Sequence, residues 1–259
     1  MQRKKIIMIL VLPLILVLLT GCGKKLAKID KLEDLENKKI GVTTGSEYDR
    51  LLSERIPSAK PAYYNTYSDQ ISSLKSGKID AFLTDEPLAK EILKSNKSLR
   101  MLDVKLTEDS YAFAINPNKS KLKKEIDNII LEMKEDGTLD KFEEKWMGND
   151  EDKKELDSYK TSGKNGKIKF ATVSGSAPFA YMKNNQLVGY DIEVISYIAQ
   201  KLDYKLEIVE MSFEGIIPAL KSGKVDVSGC SIIVTEERKK SVLFSEPDYT
   251  GGIVVVVRD

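Results

Sequence analysis

The chain has 259 residues, with 41 lysines and arginines against 40 aspartates and glutamates, two cysteines and no histidine. The balanced charge, without a basic stripe interleaved with aromatics, argues against nucleic acid as a partner. The missing histidine removes the commonest general base and the commonest metal ligand, so no cofactor or metal is expected.

At the amino terminus, Met1–Lys5 is basic and Ile6–Leu19 is apolar throughout, apart from Pro13. This run falls short of the roughly 20 residues of a spanning helix. It stops at Leu19-Thr20-Gly21-Cys22 and resembles a bacterial lipoprotein signal peptide over residues 1–21. The resemblance implies cleavage before Cys22, acylation there with palmitate-type chains, and a lipid tether over 22–37. The alternative is an uncleaved anchor helix. Either places the remainder outside the cytoplasmic membrane. One thiol, Cys230, is then left, so stability rests on apolar burial without a disulfide.

Lys39–Thr43 reads as a buried strand, followed by a glycine turn into a helix with Ser46 at its N-cap. Ala62–Tyr64 is a strand, Asp69–Lys75 a helix and Ile79–Leu83 a strand. Tyr111–Ile115 is a further short strand. Leu122, Ile126, Ile129, Ile130 and Met133 then fall on one helical face, and Leu139, Phe142 and Trp146 on the next, after a stop at Gly137. Residues 149–166 are charged and rich in Gly and Ser, which predicts a flexible linker. Ile168–Thr172 restarts as a strand. A helix through Ile195–Leu202, a strand over Leu206–Val209, a helix over Phe213–Leu220 and a strand over Val225–Gly229 follow. Pro218 is tolerable if it lies in the first turn of its helix. The chain closes on the β-branched run of Gly251–Asp259. Alternating strands and helices imply α/β lobes with mostly parallel sheets.

One phrase occurs twice, as LKSGKID at Leu74–Asp80 and LKSGKVD at Leu220–Asp226. Each copy reads as a helix end, a glycine turn and a strand start, so the chain holds two αβ units of one kind.

The second half carries APFAYMKNNQLVGYDIEVISYIA, FEGIIPALKSGKVD and TEERKKSVLFSEPDY. These closely resemble the first lobe of the type 3 solute-binding proteins, the amino-acid receptors of ABC importers. DLENKKIGVTTGS, LKSGKIDAFLTDEPLA and MKEDGTLDKFEEKW, in the first half, resemble that family's second lobe and closing helices. The resemblance implies a periplasmic-binding-protein-like α/β fold with two lobes, a hinge and a ligand cleft. The order is inverted, as in a circular permutation. The expected division is a lobe over 38–110, a hinge strand and closing helices over 111–148, the linker over 149–166, a second lobe over 167–252 and a terminal hinge strand over 253–259. With the cut placed in one hinge crossing, only Tyr111–Ile115 would cross covalently, and the lobes would open more easily.

The family resemblance also implies the site. Arg238 would clamp the ligand carboxylate, assisted by Gly45 and Ser46 at a helix start. Asp85 would take the ammonium. Phe213, Cys230 and Ser231 would wall the side-chain pocket, with Thr43 and Thr84 tuning it. Ser176 stands where relatives carry an aromatic, and Ile233 where many carry Ser or Thr, which leaves a backbone N–H alone to serve there. The function implied is a lipid-anchored, extracytoplasmic and monomeric receptor that passes a polar amino acid to an ABC permease in the membrane, with no covalent chemistry. A non-transport sensor and a dehydratase-like cleft enzyme are the alternatives on this fold. A two-chain cleft formed by lobe exchange stays open at this level.

Overall fold

The computed structural model describes residues 28–259. The signal, Cys22 and the start of the tether lie outside the described residues. A 3-10 turn over Leu32–Leu35 leads into β1 (Lys39–Thr43), α1 (Tyr48–Arg55), β2 (Lys60–Tyr64), α2 (Tyr67–Lys75), β3 (Ala81–Asp85), α3 (Glu86–Ser95) and β4 (Leu99–Lys105). The chain crosses through β5 (Asp109–Tyr111) to β6 (Ala114–Ile115), then forms α4 (Ser120–Glu135) and α5 (Thr138–Met147). Next come β7 (Lys167–Thr172), β8 (Gly175–Ser176), β9 (Ala180–Lys183), β10 (Gln186–Val188) and α6 (Tyr190–Lys201). They are followed by β11 (Lys205–Glu210), α7 (Phe213–Lys221), β12 (Val227–Ser228), α8 (Glu236–Lys239) and β13 (Leu243–Phe244). A return crossing through β14 (Tyr249–Gly251) ends on β15 (Ile253–Arg258).

Two five-stranded sheets result, ordered β2-β1-β3-β15-β4 and β11-β7-β12-β6-β13. In both, the first three strands are parallel and the fourth runs antiparallel to its neighbours. The fourth strand of each sheet arrives from the other lobe. The strand β6 enters the second lobe through β5, and β15 enters the first through β14. The two crossing segments pair antiparallel, Tyr249 opposite Tyr111 and Gly251 opposite Asp109.

This topology corrects three expectations. Tyr111–Ile115 is not one strand but two, split between the hinge pair and the second sheet. Residues 253–258 are not a hinge strand but an inner strand of the first sheet, flanked by β3 and β4. The chain also crosses covalently twice, so the argument for an easier hinge fails. The β-branched run explains its own place. Val255 and Val257 pack into the cluster with Ile40, Leu51 and Leu83, while Val254 and Val256 pack with Leu74, Ile79 and Phe82 on the opposite face. A strand covered on both faces is apolar at every position.

The repeated heptapeptide does the same work in both lobes. Gly77 and Gly223 adopt φ of 73° and 75°, which a side chain would strain. Their N–H groups close the turn on Leu74 and Leu220, each at 3.1 Å. Asp80 Oδ2 accepts the Lys39 N–H at 3.0 Å, and Asp226 Oδ2 accepts the Lys169 N–H at 2.9 Å. Each aspartate thus pins the third strand of its sheet to the second, β3 to β1 and β12 to β7. Pro218, however, lies inside α7 rather than in its first turn, so one helical hydrogen bond is absent there.

Residues 149–166 form a held strap where a flexible linker was expected. Buried Glu193 on α6 accepts hydrogen bonds from the Trp146 indole, from Lys145 Nζ at 2.8 Å and from the Tyr159 hydroxyl at 2.9 Å. Farther along, Asp203 Oδ1 accepts the Ser162 N–H at 2.6 Å. The strap also reaches the first lobe, where Lys94 of α3 pairs with Glu151 at 2.8 Å. Composition alone reads this segment as solvated, but a carboxylate from a distant helix takes hydrogen bonds from the Tyr159 hydroxyl and the Asp157 N–H within it. Glu193→Ala should leave the indole and phenol without their acceptor and cost about 2–4 kcal/mol in urea unfolding. Limited proteolysis should then cut within 150–162 first.

Candidate ligand-binding cleft

The carboxyl ends of the parallel strands in both sheets face one another, the position where open α/β sheets bind ligands. Between them lies a cavity of about 350 Å³, lined from the first lobe by Thr43 and residues 46–48 and 65–68, and from the second by residues 173–176, Phe213, Cys230, Ser231, Ile233 and Arg238. The volume suits a small molecule. Eight residues anticipated from sequence line it: Thr43, Ser46, Ser176, Phe213, Cys230, Ser231, Ile233 and Arg238. Gly45, Thr84 and Asp85 do not, although Asp85 bonds the lining residue Ser231.

Arg238 lies at the end of the short helix α8, whose cap is the Thr235 hydroxyl accepting the Arg238 N–H at 3.2 Å. Its side chain is buried and crosses the cleft. Nη1 donates to Ile233 O at 3.0 Å within the second lobe, and Nη2 donates to Gly45 O at 3.3 Å in the first. Nε lies 3.5 Å from Glu47 Oε1, also in the first lobe. The guanidinium sits 5.6 Å from the centre of the Phe213 ring. Burial lowers its affinity for the proton and the nearby Glu47 opposes that effect. With five N–H donors on a fixed fork, Arg238 keeps N–H groups free for an anion beyond these protein contacts.

Gly45 has φ of 78°, and a Cβ there would come within 2.9 Å of Glu214 Cα on α7. Glycine therefore permits the lobes to meet closely at the rim. Ser46 is not the N-cap of α1, which is Glu47. Its hydroxyl instead donates to Thr43 O at 2.6 Å and accepts the Tyr48 N–H at 3.2 Å, tying the turn to the strand end.

Asp85 closes β3 and is fully buried. Its Oδ1 accepts from the Tyr111 hydroxyl of the hinge at 2.8 Å, and its Oδ2 from Ser231 Oγ across the cleft at 2.7 Å. Burial is the largest influence and pushes the carboxyl up to about 6, against the hydroxyls of Ser231, Tyr111 and Tyr48. Ser231 reaches this carboxylate from a strained backbone. It has φ of 46° and Cys230 has φ of 153°, both unusual for residues with side chains. Cys230 donates to Ser176 Oγ at 3.3 Å, and burial pushes its thiol up to about 12, so it acts as wall and not as nucleophile.

Sequence reading missed Glu47, Tyr48, Tyr67 and the loop carrying Asn65 and Thr66 on the first lobe, and Val173–Gly175 on the second. One signal was available: each of these stretches directly follows the carboxyl end of a parallel strand or opens the helix after it. The hydroxyl and amide residues of YNTYS have no apolar period that would assign them to a core.

Comparison with known proteins places residues 168–259 in a family model, that of bacterial extracellular solute-binding proteins, family 3. The chain is 40% identical over 85 residues to the probable amino-acid-binding protein YxeM of Bacillus subtilis (strain 168), which covers 32% of each chain. It is 30% identical over 128 residues to the ABC transporter glutamine-binding protein GlnH of the same organism, covering 49% of this chain and 47% of that one. Among solved structures, the ligand-binding component of an ABC-type import system from Staphylococcus aureus is similar at 14% identity, with a TM-score of 0.44 over 85% of this chain and 65% of that one. The chain spans less than half the length of either curated relative. Residues 168–259, the stretch that supplies Phe213, Ser231 and Arg238 to the cleft, match the family model of the bacterial extracellular solute-binding proteins, family 3.

Proposed function

We propose that this protein is an extracytoplasmic receptor that captures a polar amino acid between its lobes and delivers it to an ABC permease. The observation that carries this reading is Arg238: a buried guanidinium with free N–H groups, lining the cavity from one lobe and touching the other. A ligand carboxylate on Arg238 would join the lobes, which is the mechanical event such a receptor signals. The ligand ammonium would lie by Ser231, with Asp85 behind it supplying the charge. Anchorage through an acylated Cys22 belongs to the same proposal.

The circular permutation is part of this reading. In its support, Arg100 Nη2 lies 2.8 Å from Asp30 Oδ1 while its Nε lies 3.6 Å from Asp259 Oδ1. The first described residues and the last thus share one guanidinium on the first lobe. The strap over 149–166 connects α5 with β7, both in the second lobe, where unpermuted chains would have their ends.

Thermal melting of residues 23–259 against a panel of amino acids tests the function, because a ligand that binds only the folded cleft raises the midpoint. A shift in wild type should be absent in Arg238→Ala, whose affinity should fall by about 2–5 kcal/mol; equal binding by both proteins would remove the amino-acid reading. Asp85 gives a pH signature. Its folded affinity for the proton is raised, so its ionisation opposes folding: the contribution of Asp85 to stability is highest below about pH 4, declines as the pH rises to about 6, and is level above. Asp85→Asn should therefore be more stable than wild type at pH 7.5 by roughly 1–3 kcal/mol. Ligand binding needs the ionised form, so calorimetric affinity should be level above about pH 7 and fall towards tenfold per unit below about pH 6 in wild type, with no such fall in Asp85→Asn.

A further inference from the structure

The charges around the cleft do not balance as an amino-acid clamp alone would require. Arg238 and Asp85 together are neutral and match the two charges of an amino-acid backbone. Glu47 is a third ionisable group at this site, lining the cavity with only 15% of its side chain exposed. Its Oε1 faces Arg238 Nε at 3.5 Å and its Oε2 meets Arg50 Nε at 3.0 Å. Arg50 does not cancel it. That guanidinium is 57% exposed and is shared with Glu54 at 2.6 Å. The contact chain Arg238–Glu47–Arg50–Glu54 is neutral in itself; Asp85 stands outside it, held by Tyr111 and Ser231, and brings the five groups to a net charge of one negative. Glu214 adds a further exposed carboxylate at the rim, where its backbone meets Gly45. Among the residues lining the cavity, Arg238 is the only cation.

The walls agree in sign. Tyr48, Tyr67 and Phe213 line the same cavity, and aromatic faces attract cations and repel anions. Hydroxyls and an amide from Thr43, Asn65 and Thr66 can accept from a donor-rich group. In a cleft of this size between two protein walls, the field of a carboxylate that is 15% exposed is screened less than at an open surface.

We propose that the cleft selects an amino acid with a cationic side chain, and that Glu47 is the residue that determines this specificity. The inference rests on the amino-acid reading above and adds the substrate class to it. A cationic ligand restores neutrality to the site. A neutral one leaves the excess carboxylate unbalanced, and an acidic one meets repulsion from Glu47, Asp85 and the aromatic faces. Glu47 needs no contact with the ligand's side chain for this ranking, since it acts through the net charge that Arg238 presents.

The test is calorimetric titration of the monomeric chain, residues 23–259, with lysine, norleucine, glutamine and glutamate. Norleucine is lysine without its terminal ammonium, so the comparison changes charge at nearly constant shape and needs no variant. The expected order is lysine first and glutamate last, with lysine ahead of norleucine by roughly tenfold or more. In Glu47→Gln the lysine preference should shrink by about tenfold while glutamine binds at least as well as in wild type. Tighter binding of glutamine, norleucine or glutamate than of lysine in wild type overturns the proposal and leaves the amino-acid reading intact. An unchanged ratio in a folded Glu47→Gln overturns the role of Glu47. If no amino acid binds and Arg238→Ala behaves as wild type, both readings fall together.

Discussion

Each lobe of this protein borrows one strand from the other half of the chain, and everything else depends on that exchange. Neither sheet is complete without it. The antiparallel strand β6 carries the chain from the first lobe into the middle of the second sheet, and β15 carries it back into the middle of the first. Because both are inner strands, their burial ties the integrity of each core to the hinge pair β5 and β14. Two covalent crossings lie side by side in that pair. Asp85, Tyr111 and Ser231 meet where this pair adjoins the wall of the cleft.

This arrangement explains why charges that are costly to bury sit where they do. Asp85 and Arg238 are both nearly devoid of solvent, and they form no ion pair with each other: Asp85 is met by hydroxyls, and Arg238 by backbone carbonyls and the Glu47 carboxylate at 3.5 Å. A site so arranged is tolerably solvated by protein dipoles and still has electrostatic work left to offer a zwitterion. The strained backbone at Cys230 and Ser231 fits the same pattern, with local strain held in place by the packed cores of two lobes.

Much of this could be read from residues in order. The two copies of the LKSGK phrase announced duplicated αβ units, and the structure shows Asp80 and Asp226 making the same strand-to-strand bond in each. Arg238, Phe213 and Ser231 were legible through family phrases. Glu47, Tyr67 and Asn65 were not, because a loop residue's position in a cleft depends on where two strand ends meet, and no local pattern records that. The segment 149–166 was misread for a related reason. Its composition is that of a solvated linker, but Glu193, a helix away in sequence, gathers Lys145, Trp146 and Tyr159 around a buried carboxylate.

By itself the sequence determined the local periods: helices from apolar residues recurring on one face, strands from β-branched runs, turns where glycine alone accepts a left-handed backbone. It determined the two-lobed plan through repetition, and it singled out Arg238, which the structure places in the wall of the cavity. Only the tertiary structure decided the destination of Ile253–Arg258. Its unbroken valines state that both faces must be covered, and they do not state by what. That choice belongs to long-range packing, in which the whole of β3, β4 and the helices on either side compete for the strand, and the same long-range choice sets which loops line the cleft and what net charge a ligand meets there.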